Sequence, residues 1–219
     1  MKPGKTTWKW SIDVSRYLLN TRNVSVILTV ALVLAACSGL TQSDKPALNV
    51  WWLQPVSGAP VADTVAAPST LVLELDVVPG LDTDKVLALS SNAQLKPYAG
   101  ARWAEALPEL AASLFTRSLE SSGRFGVLRR GRAGAAATDC ELRLEVDQFF
   151  ADLAADGRTR GVSVGITGEY RCKAAESRGL EARAYVDVGE ERMSAIVAAF
   201  QKALDKVTLD LIKKIYIKQ

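Results

Sequence analysis

Two periodicities run through the chain, and between them they lay out most of its elements. Leu71, Leu73, Leu75 and Val77 alternate with Glu74 and Asp76, the two-residue period of a half-buried strand over residues 70–78. Pro79-Gly80 breaks it. Residues 85–89 form a further strand, with residues 94–98 as its partner across Ser90-Ser91-Asn92, and residues 49–53 and 125–128 are short strands. Leu142, Leu144 and Val146 alternate with Glu141, Arg143, Glu145 and Asp147 over residues 140–150. Val162, Val164 and Ile166 do the same over residues 161–172, and Asp156-Gly157 between the two runs is a hairpin turn signal. Residues 180–188 continue as a third antiparallel strand.

The helical period appears twice. Trp103, Leu107, Leu110, Leu114 and Leu119 recur at helical spacing over residues 101–121. Pro108 is best tolerated in a first turn, so the regular helix is expected to begin near Leu107, with Gly123 at its end. Residues 190–215 carry a longer stripe through Ile196, Val197, Phe200, Leu204, Val207, Leu211 and Ile215. The predicted class is α+β: a largely antiparallel sheet with two amphipathic helices packed on one face.

The first 36 residues follow neither period. Lys2, Lys5, Lys9, Arg16 and Arg22 against Asp13 make a basic segment, residues 24–34 an apolar one, and Leu34-Ala35-Ala36-Cys37 a small-residue close. Basic, apolar, small is the order of a secretory signal. The 11-residue apolar run is short of the roughly 20 residues a membrane span needs. Leu34-Ala35-Ala36-Cys37 resembles a lipobox, which implies cleavage before Cys37 and acylation of that cysteine. The expected organisation is a signal peptide at 1–36, a lipidated tether at 37–48 and one domain at 49–219. Ser38 follows the cysteine where an Asp commonly retains lipoproteins in the inner membrane, which favours the outer membrane, facing the periplasm.

Removing the signal changes the charge. The whole chain has 27 basic and 24 acidic residues; without the five and one in the signal it has 22 and 23, a net charge of −1. No basic face for a nucleic acid is implied. There is no histidine, which excludes Ser-His-Asp and Cys-His catalysis and His-ligated metals. Gly161, Gly165 and Gly168 lie in a strand and precede no helix, so they suggest bulges or close backbone approach rather than a phosphate loop. No catalytic acids converge, and no enzyme, cofactor or metal is expected.

Cys140 and Cys172 are equidistant from residue 156, so a hairpin centred on Asp156-Gly157 sets them opposite each other. Both fall on the apolar parity of their strands, and export supplies an oxidising compartment. A disulfide is favoured over two packed thiols, with a one-residue bulge as the event that would shift the register.

Trp51-Trp52-Leu53, the Val78-Pro79-Gly80-Leu81 turn and the stretch Leu95-Lys96-Pro97-Tyr98-Ala99-Gly100-Ala101-Arg102-Trp103-Ala104-Glu105 stand in order after the lipobox. With Ser122-Gly123-Arg124-Phe125 downstream, this constellation resembles the ABC-type transport auxiliary lipoprotein family (PqiC-like). The resemblance implies a partner rather than a reaction: an MCE-domain protein and its associated ABC or permease subunits, moving lipid between membranes. The rival class is a structural or assembly lipoprotein, since the helix-to-strand step is also similar to CsgG-type and TolB-N-type domains. Arg102 and Trp103 are the candidate partner contacts, tryptophan and arginine being enriched at hot spots. The helical pattern favours a core position for Trp103 and an exposed edge for Arg102.

Overall fold

Alternating Leu and Val against charged residues produces strands wherever the period holds long enough, and here it produces a sheet with its longest strands in the middle. The computed structural model describes residues 48–56, 69–129, 139–173 and 175–216. The signal, Cys37 and the tether lie outside them. The described strands are β1 (Asn49–Trp51), β2 (Ser69–Val77), β3 (Lys85–Leu89), β4 (Leu95–Trp103), β5 (Phe125–Arg129), β6 (Cys140–Leu153), β7 (Thr159–Cys172) and β8 (Arg178–Asp187). The helices are α1 (Leu107–Ser121) and α2 (Met193–Tyr216), and Pro79–Leu81 is a single 3₁₀ turn. The class is α+β, with a mixed, mostly antiparallel sheet.

Strand β6 organises the sheet. One of its edges carries β7 and then β8, both antiparallel. The other edge is shared by two strands lying end to end: β2 runs parallel to its first half, from Leu71 opposite Cys140 to Val77 opposite Val146, and β3 runs parallel to its end, with Ala88 opposite Ala151. The 3₁₀ turn separates β2 from β3, so the sheet forks there. Strand β5 pairs parallel outside β2; β4 lies antiparallel outside β3, and β1 parallel outside β4. These parallel pairs are absent from the sequence reading.

Helix α1 lies on β2 and β5, and α2 lies on β7 and β8. Their buried stripes share one core with Leu71, Leu142, Leu144, Val162, Val164 and Ile166. Arg178 on β8 donates to the Lys214 and Ile215 carbonyls, capping the end of α2.

Residues 101–103 need correcting. They are the end of β4, not a helical lead-in: Ala101 and Trp103 pair with Asn49 and Trp51, and the Trp103 amide donates to Asp84 O at 2.7 Å. The helix starts at Leu107, with Pro108 in its first turn where a missing N–H costs nothing. At its other end Gly123 holds φ +73° and its amide reaches the Glu120 carbonyl, the left-handed exit that glycine allows.

The β6–β7 hairpin contains two irregularities. Asp147 is an extra residue on β6, between the pairs Val146–Ile166 and Gln148–Gly165. Arg160 is an extra residue on β7, between Asp152–Gly161 and Leu153–Thr159. Each bulge shifts the register by one, in opposite senses, so they cancel. Buried positions on β6 accordingly switch from Cys140, Leu142, Leu144 and Val146 to Phe149 and Ala151. Cys140 lies opposite Cys172, and the two are disulfide-bonded.

Candidate functional site

Charge on the sheet face away from the helices is arranged in pairs. Arg143 reaches Glu74 at 3.2 Å, Arg171 reaches Glu141 at 2.9 Å, and Arg183 reaches Asp147 at 2.7 Å and Glu181 at 2.8 Å. The hydrogen bonds it donates to Asp147 and then to Glu181 raise the Arg183 pKa above the usual arginine value. Exposed pairs of this kind contribute about 0–1 kcal/mol each. Chemically they matter more as commitments: these carboxylates face arginines, across strands or, for Glu181, along β8, and do not converge as an acid–base pair. Among the described residues no group of three or more His, Cys, Asp or Glu side chains is placed to hold a metal ion, and no helix is long and apolar enough to cross a membrane.

The strand glycines serve close approach. A Cβ on Gly165 would lie 2.6 Å from both the Arg183 guanidinium and the Asp147 carboxylate, so the bare backbone lets that pair lie flat on the sheet. At Gly161 a Cβ would lie 2.3 Å from the Tyr185 ring, and at Gly168 it would lie 2.1 Å from the Arg143 carbonyl oxygen.

Arg102 and Trp103 are neighbours that strand alternation sends to opposite sides. Trp103 is 3% exposed and meets Phe149 and Phe200 edge-on, with ring centroids 5.7 and 5.1 Å away. It is a core residue, as the pattern favoured, but it reaches the core from a strand. Arg102 points outward and pairs with Asp84 at 3.2 Å. The two do not form one contact surface.

Beyond the turn, β7, β8 and the approach to α2 frame a polar groove lined by Asp156, Arg158, Tyr185, Asp187 and Glu191. Asp156 accepts from the Arg158 amide at 3.1 Å, which first of all holds its carboxyl below the usual range. Beside the groove, Tyr98 on β4 shares a 2.7 Å hydrogen bond with Thr159 on β7, whose amide donates to Glu191. Burial pushes the Tyr98 phenol up, the Thr159 hydrogen bond pulls it back, and the Glu191 charge adds to the rise.

Trp51-Trp52-Leu53 enters the family resemblance as a single motif. The structure divides it. Trp51 packs against the core and Leu53 is fully buried, whereas Trp52 is 49% exposed. Past Leu53 the chain crosses the helical layer: Gln54 and Gln201 on α2 exchange hydrogen bonds of 2.8 and 2.9 Å, and the Val56 amide donates to the buried Ser118 Oγ on α1. A count by alternate residues from Leu48 would have separated the block, since Leu48, Val50 and Trp52 share one parity.

Comparison with known proteins places this arrangement. A family model described as ABC-type transport auxiliary lipoprotein component matches residues 52–211. The crystal structure of protein XCC0632 from Xanthomonas campestris superposes with a TM-score of 0.59 at 21% identity, covering 78% of this chain and 93% of that one. A second crystal structure, described only as an uncharacterized protein, gives a TM-score of 0.57 at 14% identity and covers 78% of this chain and 99% of that one. At these identities the two structures show a shared fold. No curated protein matches the chain.

Proposed function

Because the chain belongs to the ABC-type transport auxiliary lipoprotein family, we propose that it is a non-enzymatic, PqiC-like subunit of an MCE-type lipid transport system. In this reading it is acylated at Cys37, anchored in the outer membrane and turned toward the periplasm, where it helps maintain the envelope. The observation that carries the proposal is the family match over residues 52–211, directly downstream of Leu34-Ala35-Ala36-Cys37. Paired carboxylates on the outer sheet face fit a binding subunit better than a reaction centre. Two or more acyl chains at Cys37 anchor stably, at about 0.8 kcal/mol per buried CH₂.

Purification of the acylated protein in detergent, followed by mass spectrometry, tests the partnership. An MCE-domain protein, a permease and an ATPase are expected together. Recovery of a secretion or envelope-assembly complex in their place would move the protein to the rival class. Cys37→Ser is expected to abolish fatty-acid labelling and release the protein from membrane fractions; persistent labelling would remove the anchor from this position. Deletion is expected to sensitise cells to detergents, and an intact barrier under every such stress would count against the transport role.

A further inference from the structure

The described residues expose five large apolar side chains: Leu48, Val50, Trp52, Leu95 and Tyr185. Tyr185 lies over Gly161, and Leu95 lies near Gly80. The other three form a row. Leu48, Val50 and Trp52 are 51%, 62% and 49% exposed; Val50 lies on β1, Leu48 and Trp52 flank the strand at alternate positions, and Trp51 turns to the core. Edge strands of soluble domains usually carry charge or cover at such positions; this one exposes an apolar stripe at one edge of the forked sheet.

The stripe has a basic border. Val50 lies beside Arg102 in register, and Arg102 beside Lys85 on β3; Asp84 pairs with Arg102 from the same edge. Leu, Val and Trp bordered by Arg and Lys match a headgroup boundary, where apolar and indole groups settle below the surface and cations meet anionic lipid.

Position along the chain selects the occupant. Leu48 lies 11 residues after Cys37, a stretch that spans at most about 40 Å when fully extended. Strand β1 is the first described element after Cys37 in the chain, and the covalent tether keeps it within that reach. We propose that Leu48, Val50 and Trp52 insert at the bilayer surface, with Arg102 and Lys85 over anionic headgroups, as a second membrane contact that fixes how the domain is turned. This rests on the reading of Cys37 as the lipid anchor.

The test separates the two. Mass measurement of the protein purified from membranes reads acylation at Cys37. Orientation is read on protein whose Cys37 is coupled to a maleimide lipid, which requires no native acylation; Cys140 and Cys172 are bonded to each other, leaving Cys37 as the free thiol among three cysteines. The coupled protein is placed in phosphatidylethanolamine–phosphatidylglycerol vesicles brominated high on their acyl chains. The difference between native and Trp52→Phe emission isolates Trp52. About half of that emission is expected to be quenched, as for an indole settled at the interface, and Leu48→Ser with Val50→Ser should reduce the quenching without moving the unfolding midpoint. Unquenched Trp52 emission in the coupled protein overturns the proposal. If that emission is instead shielded only in a larger sedimenting species, the stripe belongs to a second copy and the proposal is equally overturned. An unacylated native Cys37 counts against the anchor reading, while the quenching answers for the stripe.

Discussion

Strands β6 and β7 run 14 residues each and pair along almost their whole length, closed at one end by a turn through Asp156-Gly157 and at the other by Cys140–Cys172. Strand β1 has 3 residues, and its described pairing is three parallel pairs with β4. The hairpin's partners are close in sequence, so closing it costs little chain entropy. The β1 edge depends on distant groups: Leu53 in the core, and Gln54 with Gln201, 147 residues apart. Two ties join the hairpin to β4, the strand that carries β1: Trp103 against Phe149 and Tyr98 to Thr159. Stability is thus concentrated in the hairpin, while the stripe proposed to meet the membrane lies on a strand with few bonds of its own. Binding elements are commonly drawn from the less stable parts of a fold.

Cutting the stronger tie should do the most damage. Trp103→Ala is expected to cost about 3–5 kcal/mol, through the lost ring and the cavity left between Phe149 and Phe200. Arg102→Ala, on the exposed side of the same strand, should stay within about 0.5 kcal/mol. Urea unfolding of both variants measures the contrast; equal costs would mean that β4 is not fastened through the core.

The hairpin's staple comes next. Cys140→Ala with Cys172→Ala is expected to cost roughly 3 to 4 kcal/mol by loop-closure entropy, the two positions being 32 residues apart. The unfolding midpoint of the variant should fall at that of the reduced native protein and well below that of the oxidised one. A midpoint indifferent to reductant would show that the hairpin holds without its bridge.

Glycine sharpens the comparison within the same region. Gly168→Ala places a methyl group against the Arg143 carbonyl and should cost about 1–3 kcal/mol. Gly179→Ala on β8 meets nothing within 4 Å and serves as the matched control. Similar melting temperatures for the two would remove the close-approach explanation.

The smallest effect lies at the second tie. Tyr98→Phe removes one hydrogen bond, worth about 0.5–1.5 kcal/mol. Its pH dependence is more telling. Burial raises the Tyr98 pKa in the folded state, so its contribution is fully present below the ordinary tyrosine value of about 10 and is lost as pH rises through the folded value. Native protein should lose stability across that alkaline window more steeply than Tyr98→Phe. Parallel curves would show that Tyr98 titrates as it does in the unfolded chain.

Much of the comparison was visible in the linear pattern, unevenly. The pairing of Cys140 with Cys172 followed from their equal distance from residue 156, yet it holds because the bulges at Asp147 and Arg160 cancel. The first bulge leaves a trace, since Asp147-Gln148 interrupts the alternation between Val146 and Phe149. At the second, Arg160-Gly161 follows a turn and has no established phase to break. Trp103 was assigned to the core correctly and to the wrong element, because one apolar residue four before Leu107 fits a helix as well as a strand end.

Local order is what the sequence by itself determined: the alternating runs of β6, β7 and β8, the stripes of α1 and α2, and the turn at Asp156-Gly157. Each depends on residues a few positions apart, where backbone periodicity and turn chemistry are written directly into the chain. Only the tertiary structure decided that β2 and β3 share one edge of β6 in parallel, that residues 101–103 finish β4, and that Leu48, Val50 and Trp52 face outward. Parallel strands have no connecting turn to announce them, and an apolar residue on a three-residue strand has no side until a neighbour buries one face.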